Sequence, residues 1–273
     1  ALGTDLGLLA NNHGYDFGAA GLRATADLLA GAGIPSCGHG RGQEDAYVGH
    51  VVKINDIEIA FVNFQEGEEG PRTERAPEIA GWDLRRIENS IRAHKRAGRV
   101  VIAIPHADRE FLPCPAPYIQ ETYRALVDAG ASLVVAHHPH VPRGMEIHRG
   151  RPILYSLGNF AFWQDHPGLF RKLGLLAEVA VTAAGETGVR LLPYRIEKER
   201  LRPTTEPETA WFGEQLAAVS GPALAPDKVR AALHAAIDAI PLSTWYHDCT
   251  GMRYGMNLME KEDPVGLARL RTR

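Results

Sequence analysis

Three short apolar runs of this chain each end in polar residues that suit a metal ion. Leu6-Gly7-Leu8-Leu9-Ala10 leads into Asn11-Asn12-His13, and Val100-Val101-Ile102-Ala103-Ile104 leads through Pro105 into His106. Leu133-Val134-Val135-Ala136 leads into His137-His138-Pro139-His140. Runs of about four to six buried residues read as strands covered on both faces. Ligands in such sheets gather beyond the carboxyl ends of the strands. Histidines and an asparagine along one rim are a metal site in outline. A lone histidine at a strand end is commonly a hydrogen-bonded loop residue, but the His138-Pro139-His140 pair is harder to explain that way. In extended backbone, residues two apart share a face, so both rings converge on one centre while His137 points away. Pro139 removes a ladder donor, which suits a strand leaving its sheet.

The elements that must position these groups follow from periodicity. Residues 18–32 read as a helix with Leu22, Ala26 and Leu29 on one face and Gly31 and Gly33 as stop signals. Residues 51–54 and 57–63 read as a hairpin across Asn55-Asp56. Residues 65–81 are acidic, Gly/Pro-punctuated and aperiodic, which predicts a long loop over or beside the rim. Asp83 is the predicted N-cap of a helix carrying Leu84, Ile87 and Ile91 and ending near Gly98. A loop over 107–117 and a helix carrying Ile119, Tyr123, Leu126 and Val127 separate the two later histidine strands. A further strand is predicted at 152–156, and an antiparallel pair at 173–182 and 189–196. Residues 206–219 and 226–240 read as helices. The mixture of strand–helix alternation and hairpins predicts an α/β fold, a sheet sandwich flanked by helices. The domains expected are 1–200, carrying the site, and a helical extension over 201–273.

Composition narrows the partners. A net charge of −3 over 273 residues makes no electrostatic case for nucleic acid, and the Arg195 to Arg202 stretch reads as solvated surface. No apolar stretch approaches the roughly 18 residues that cross a bilayer. Cys37, Cys114 and Cys249 are isolated and odd in number, so they form neither a disulfide framework nor a zinc module. Buried thiols in a reduced, cytoplasmic setting are the expectation.

Two motifs fail on context. Gly31-Ala32-Gly33 closes a helix, whereas a dinucleotide-binding glycine run opens one. Ser156 lies in Tyr155-Ser156-Leu157-Gly158, which lacks the first glycine of a nucleophile elbow. Asp108 and Glu110, flanking Arg109, are expected to be exposed loop charges.

The string Leu9-Ala10-Asn11-Asn12-His13 with Asp16 and Gly18 resembles a signature of the CapA-type capsule (poly-γ-glutamate) synthesis proteins, within the calcineurin-like metallophosphoesterases. The likeness continues through His106 and Glu110, through Asp128-Ala129-Gly130-Ala131 into His137-His138-Pro139-His140-Val141, and through Arg151 to Phe160. It implies two packed mixed β-sheets flanked by helices, with a two-metal centre at one rim. By motif match, Asn12, His106 and His138 would hold the second metal and His140 the first. His13 would stabilise charge at the leaving group or act as general acid, oriented by Asp16. Imidazole and amide ligands suit Mn, Fe, Co or Zn. The family pattern also has an earlier strand ending in Gly-Asp, the Asp a ligand, and an Asn-Leu-Glu segment. Neither precedes Asn11 here. The expectation is either a fragment of a longer protein that lacks its first strand or an incomplete metal site, holding up to two divalent ions or fewer.

Two functions are compatible with this reading. One is a metal-dependent hydrolase of a phosphoester or related bond, acting on a small-molecule or polymer substrate in capsule or poly-γ-glutamate-type metabolism. The other is a non-catalytic metal-binding component of a polymer synthesis or export assembly. Substrate choice would reside in the 65–81 loop and the helices after residue 203.

Overall fold

The computed structural model describes residues 3–67, 78–112, 114–163, 169–198 and 200–221, with 225 and 228. The elements in chain order are β1 (Gly7–Leu8), α1 (Gly18–Gly31), β2 (Ser36–Cys37), α2 (Gln43–Ala46), β3 (His50–Ile54), β4 (Ile57–Gln65), α3 (Leu84–Arg96), β5 (Val100–His106) and α4 (Pro117–Ala129). They continue with β6 (Leu133–Val135), β7 (Met145–His148), β8 (Arg151–Leu154), a 3-10 turn (Leu169–Lys172), β9 (Leu173–Val181), β10 (Thr187–Glu197), β11 (Arg200–Pro203) and α5 (Glu206–Ala218).

A six-stranded sheet ordered β3-β4-β5-β6-β8-β7 is the centre of the fold. Its inner strands β4, β5, β6 and β8 run parallel, and β3 and β7 close the edges antiparallel. The apolar run of β5 is buried on both faces, as its lack of alternation predicts. Val101 and Ala103 join Val62, Phe64, Val134 and Ile153 against Ile87 and Ile91 of α3 and Ile119, Tyr123 and Leu126 of α4. Val100, Ile102 and Ile104 turn the other way and meet Ala177, Val179, Val189 and Leu191 of a second sheet. Each such fully buried aliphatic side chain contributes roughly 1.5–3 kcal/mol. The second sheet, β11-β10-β9, is wholly antiparallel. Trp211, Phe212 and Leu216 of α5 cover Leu173, Leu175 and Leu191 at its margin. The architecture is therefore a mixed α/β sandwich flanked by helices, with α3 and α4 against the main sheet and α5 at the margin of the second.

Local chemistry explains the element ends. Asp83 accepts the Arg86 N–H at 3.1 Å and starts α3 as expected. Thr205 and Glu208 form a reciprocal capping box at the start of α5. Asn55 and Asp56 both take positive φ, 47° and 66°, the two-residue hairpin turn whose twist suits β3 and β4. A second turn of this kind, at Arg149 and Gly150, joins β7 to β8.

Several expectations need correction. The run over 6–10 gives only the two residues of β1, which pair with β2 in a separate parallel ladder rather than in the main sheet. Gln65 ends β4 and Ile79 and Ala80 are buried, so the predicted 65–81 loop is anchored at both ends; residues 68–77 lie outside the described residues. Arg195 to Glu197 and Arg200 to Arg202 lie in paired antiparallel strands, not simply on solvated surface: Arg195 and Arg202 pair with Glu208, and Arg200 and Arg202 with Glu197. The predicted helix at 226–240 and Cys249 lie outside the described residues. Cys37 and Cys114 are buried thiols, and burial pushes them up to about 12 and about 11, which suits packing rather than ligation. Among the described residues, no helix is long and apolar enough to cross a membrane.

Candidate metal centre

Asn12 and His106 are brought together by a buried clamp. Asn63, near the end of β4, accepts the Ala10 N–H at 2.8 Å, and its amide donates to the carbonyls of Ile104 at 2.9 Å and Ala10 at 3.3 Å. The segment before Asn12 is thereby tied to the strand that ends in His106. Gly38, at φ +83°, lies against this clamp, where a Cβ would collide with the Asn63 amide oxygen. Asn11 then turns the chain, its side chain accepting the His13 N–H at 3.0 Å. The result sets His106 Nε2 3.0 Å from Asn12 Oδ1. Asn12 is only 4% exposed, and the other end of its amide is buried with no hydrogen-bond partner among the described residues.

The second half of the cluster is built on turns. His138 and His140 have φ of 103° and 59°, so the extended backbone predicted for them is wrong. β6 ends at Val135, and a single bridge between His106 and His137 carries the pairing onward. The rings nevertheless converge: His138 lies 5.0 Å from His106 and 6.0 Å from His140, centroid to centroid. His140 is held by Asn159, whose amide oxygen accepts from Nδ1 at 2.7 Å, and by ring contacts with Phe111 and Phe162 at 5.5 and 5.4 Å.

Glu110 completes this half, and Asp108 does not behave like it. Glu110 Oε1 lies 3.3 Å from His140 Nε2, and ligand atoms of Glu110, His138 and His140 all lie within 4.8 Å of one another. Asp108 is fully buried in an ion pair with Arg143. Neither carboxylate is the exposed loop charge expected. The one signal that could have singled out Glu110 was its place four residues after His106.

Electrostatics differ across the cluster. Burial, reinforced by the fields of His138, His137, His140 and His13, holds His106 well below the usual histidine range, so its ring is neutral with a lone pair to offer. Burial likewise lowers His137 to about 4. Burial opposes ionisation of Glu110, but the His140 hydrogen bond and the charges of His140, His138 and His13 outweigh it and hold the carboxyl low. His140 moves up despite burial, because Glu110 and Asn159 hydrogen-bond its ring. His13 stands at the open edge, its Nδ1 3.0 Å from Asp16 Oδ2, with side chains 59% and 50% exposed.

The donor set fits a divalent cation. Ligands about 2.1 Å from one ion lie about 3.0–3.4 Å apart in octahedral or tetrahedral arrangement. The Asn12–His106 and Glu110–His140 separations of 3.0 and 3.3 Å match that spacing. The atom Asn12 would offer a cation is Oδ1, which faces His106; its amide nitrogen is a buried donor with no partner among the described residues.

The family model of bacterial capsule synthesis proteins, PGA_cap, matches residues 1–164, which include every site residue above. The chain belongs to this family. A probable polyglutamine synthesis accessory protein from Mycobacterium tuberculosis is 31% identical to this PGA_cap chain over 235 residues, covering 78% of it and 61% of the relative. The capsule biosynthesis protein CapA of Bacillus anthracis is 27% identical over 206 residues, 72% of this chain and 49% of its own. The chain thus spans about half to three-fifths of the length of these two relatives. Among solved structures, a 5′-nucleotidase precursor from Thermus thermophilus aligns at TM-score 0.45 and 17% identity, over 78% of this chain and 42% of that one.

Proposed function

We propose that this chain carries a divalent-metal hydrolase centre for a phosphoester or related bond, serving capsule or poly-γ-glutamate-type polymer metabolism. The observation that carries the reading is the convergence of Asn12, His106, His138, His140 and Glu110 from separate segments, with ligand-like spacings of 3.0 and 3.3 Å. The names of the relatives, capsule biosynthesis and polyglutamine synthesis, supply the metabolic setting. In this reading Glu110 and His140 would hold one Mn, Fe, Co or Zn ion, and Asn12, His106 and His138 would hold another. Divalent ions at such a centre neutralise phosphoryl charge and acidify a water to act near neutrality. His13, oriented through Nδ1 by Asp16, uses Nε2 to deliver a proton to the leaving oxygen.

Metal analysis with an aryl-phosphate assay tests this. His138→Ala and His140→Ala are expected to lose bound metal; unchanged metal content in both variants would overturn the assignment. His13→Ala is expected to keep its metal and lose at least about a hundredfold in turnover. Loss of metal there would instead make His13 a ligand.

A second reading, a non-catalytic metal-binding component of a polymer assembly, draws support from the word accessory in the name of the mycobacterial relative. Stoichiometric metal without turnover on phosphoesters or γ-glutamyl amides would favour it.

A further inference from the structure

Glu110 sits in a turn that the backbone would not hold unaided. Asp108 and Phe111 on either side of it take φ of 88° and 60°, conformations that cost an L-residue free energy unless the surroundings impose them. What imposes them is Arg143. Its guanidinium pairs with the Asp108 carboxylate, and the two side chains are 0% and 1% exposed. Nε donates to the Leu112 carbonyl at 2.9 Å and Nη2 to the Arg109 carbonyl, so the fork grips the main chain on both sides of Glu110. Asp108 in return accepts the N–H groups of Arg109 at 2.7 Å and Ala116 at 3.1 Å.

The same residue reaches the histidine side. The Arg143 backbone N–H donates to the Ser156 carbonyl at 3.1 Å, beside the segment that leads to Asn159. Phe111 N–H donates to the carbonyl of Pro139, between His138 and His140, at 2.8 Å. The turn gripped by the Arg143 side chain is therefore tied through its own backbone to the His138–His140 segment, and the Arg143 main chain to the segment that leads to Asn159. A buried ion pair is a poor source of stability in itself. A planar fork that fixes two carbonyls and a carboxylate is a good source of geometry.

We propose that Arg143 is a positioning residue for the metal centre: it clamps the 108–112 turn so that the Glu110 carboxylate faces His138 and His140. This rests on the metal reading above. Arg143 acts on the Glu110 half of the cluster and leaves the Asn12–His106 half to its own clamp at Asn63.

Cobalt(II) titration of the purified chain, followed by visible absorption and elemental analysis, tests it through a double-mutant cycle. Arg143→Lys keeps a cation opposite Asp108 but lacks the fork, and is expected to weaken the Glu110-dependent cobalt step about 10–100-fold. Glu110→Gln is expected to weaken the same step, and the double variant to be no weaker than Glu110→Gln alone. An unchanged isotherm for Arg143→Lys overturns the proposal. So does an equal loss in the wild-type and Glu110→Gln backgrounds, since a merely structural role would act in both. If Arg143→Lys does not fold, the cycle is run with Arg143→Met/Asp108→Asn, which removes both buried charges, and the same outcomes decide. A wild-type chain that takes up no cobalt overturns the metal reading and this inference with it, whereas cobalt uptake with an additive cycle overturns this inference alone.

Discussion

The two halves of the candidate centre are built on opposite principles. Asn12 and His106 are delivered by regular structure: a buried strand end and an asparagine clamp that joins it to the chain before Asn12. Burial and the fields of the neighbouring histidines hold His106 neutral. Glu110, His138 and His140 come from turns with left-handed backbone, held by a buried ion pair, and their environment gathers charge. A sheet can aim a ligand at its rim with no special backbone, but grouping three more around the same point requires conformations that the chain must be forced to adopt. Rigidity of the scaffold supplies the first half, and buried polar bonding supplies the second.

That contrast can be broken most forcefully at Asn63. Asn63→Ala leaves the Ala10 N–H and the Ile104 carbonyl without their partner in a buried site. About 3 kcal/mol of stability should be lost, read as a lower denaturation midpoint in urea. Metal uptake should fail first at the Asn12–His106 half, and an unchanged midpoint would mean that the clamp is not what joins the two segments.

Acidification should separate the halves without any mutation. In the metal-free chain His106 titrates below the unfolded histidine value, so the unfolded state binds the extra proton and this half loses stability as pH falls below about 6.5. His140 titrates above that value, so its contribution is fully present below about 6.5 and is lost as pH rises through its raised pKa. Histidine ring proton shifts followed by NMR between pH 5 and about 8 should show His140 protonated at a pH where His106 is neutral. A common midpoint for the two rings would remove the electrostatic distinction. Saturating zinc should abolish both transitions, because ligated imidazole must be neutral.

Much of the first half was legible in the sequence. An apolar run ending at His106 has few readings other than a covered strand, and Asp83 and Asn55-Asp56 announced their cap and turn through local chemistry alone. The strand expected over 6–10 shrank to Gly7–Leu8 because its apolar residues serve a two-residue ladder with β2, a tertiary choice that periodicity does not encode. β7 and β11 escaped notice because Met145–His148 and Arg200–Pro203 are edge strands of four residues each, too short to carry a clear period. The second half of the site was harder still. Left-handed φ at His138 and His140 has no sequence signature in residues other than glycine and asparagine. Burial of Asp108 and Arg143 contradicts the usual behaviour of both residue types, so only their mutual contact explains it.

His138 makes the cost of that second half measurable. At φ 103° a side chain of any L-residue crowds its own backbone, and glycine alone is at ease. His138→Gly should therefore be more stable than His138→Ala by about 1 kcal/mol, although both lack the imidazole, and equal stability would show that the turn carries no strain. The chain carries an imidazole where the main chain would be at ease only with glycine. Any stability gained by removing that side chain is therefore a direct reading of what the turn costs to hold.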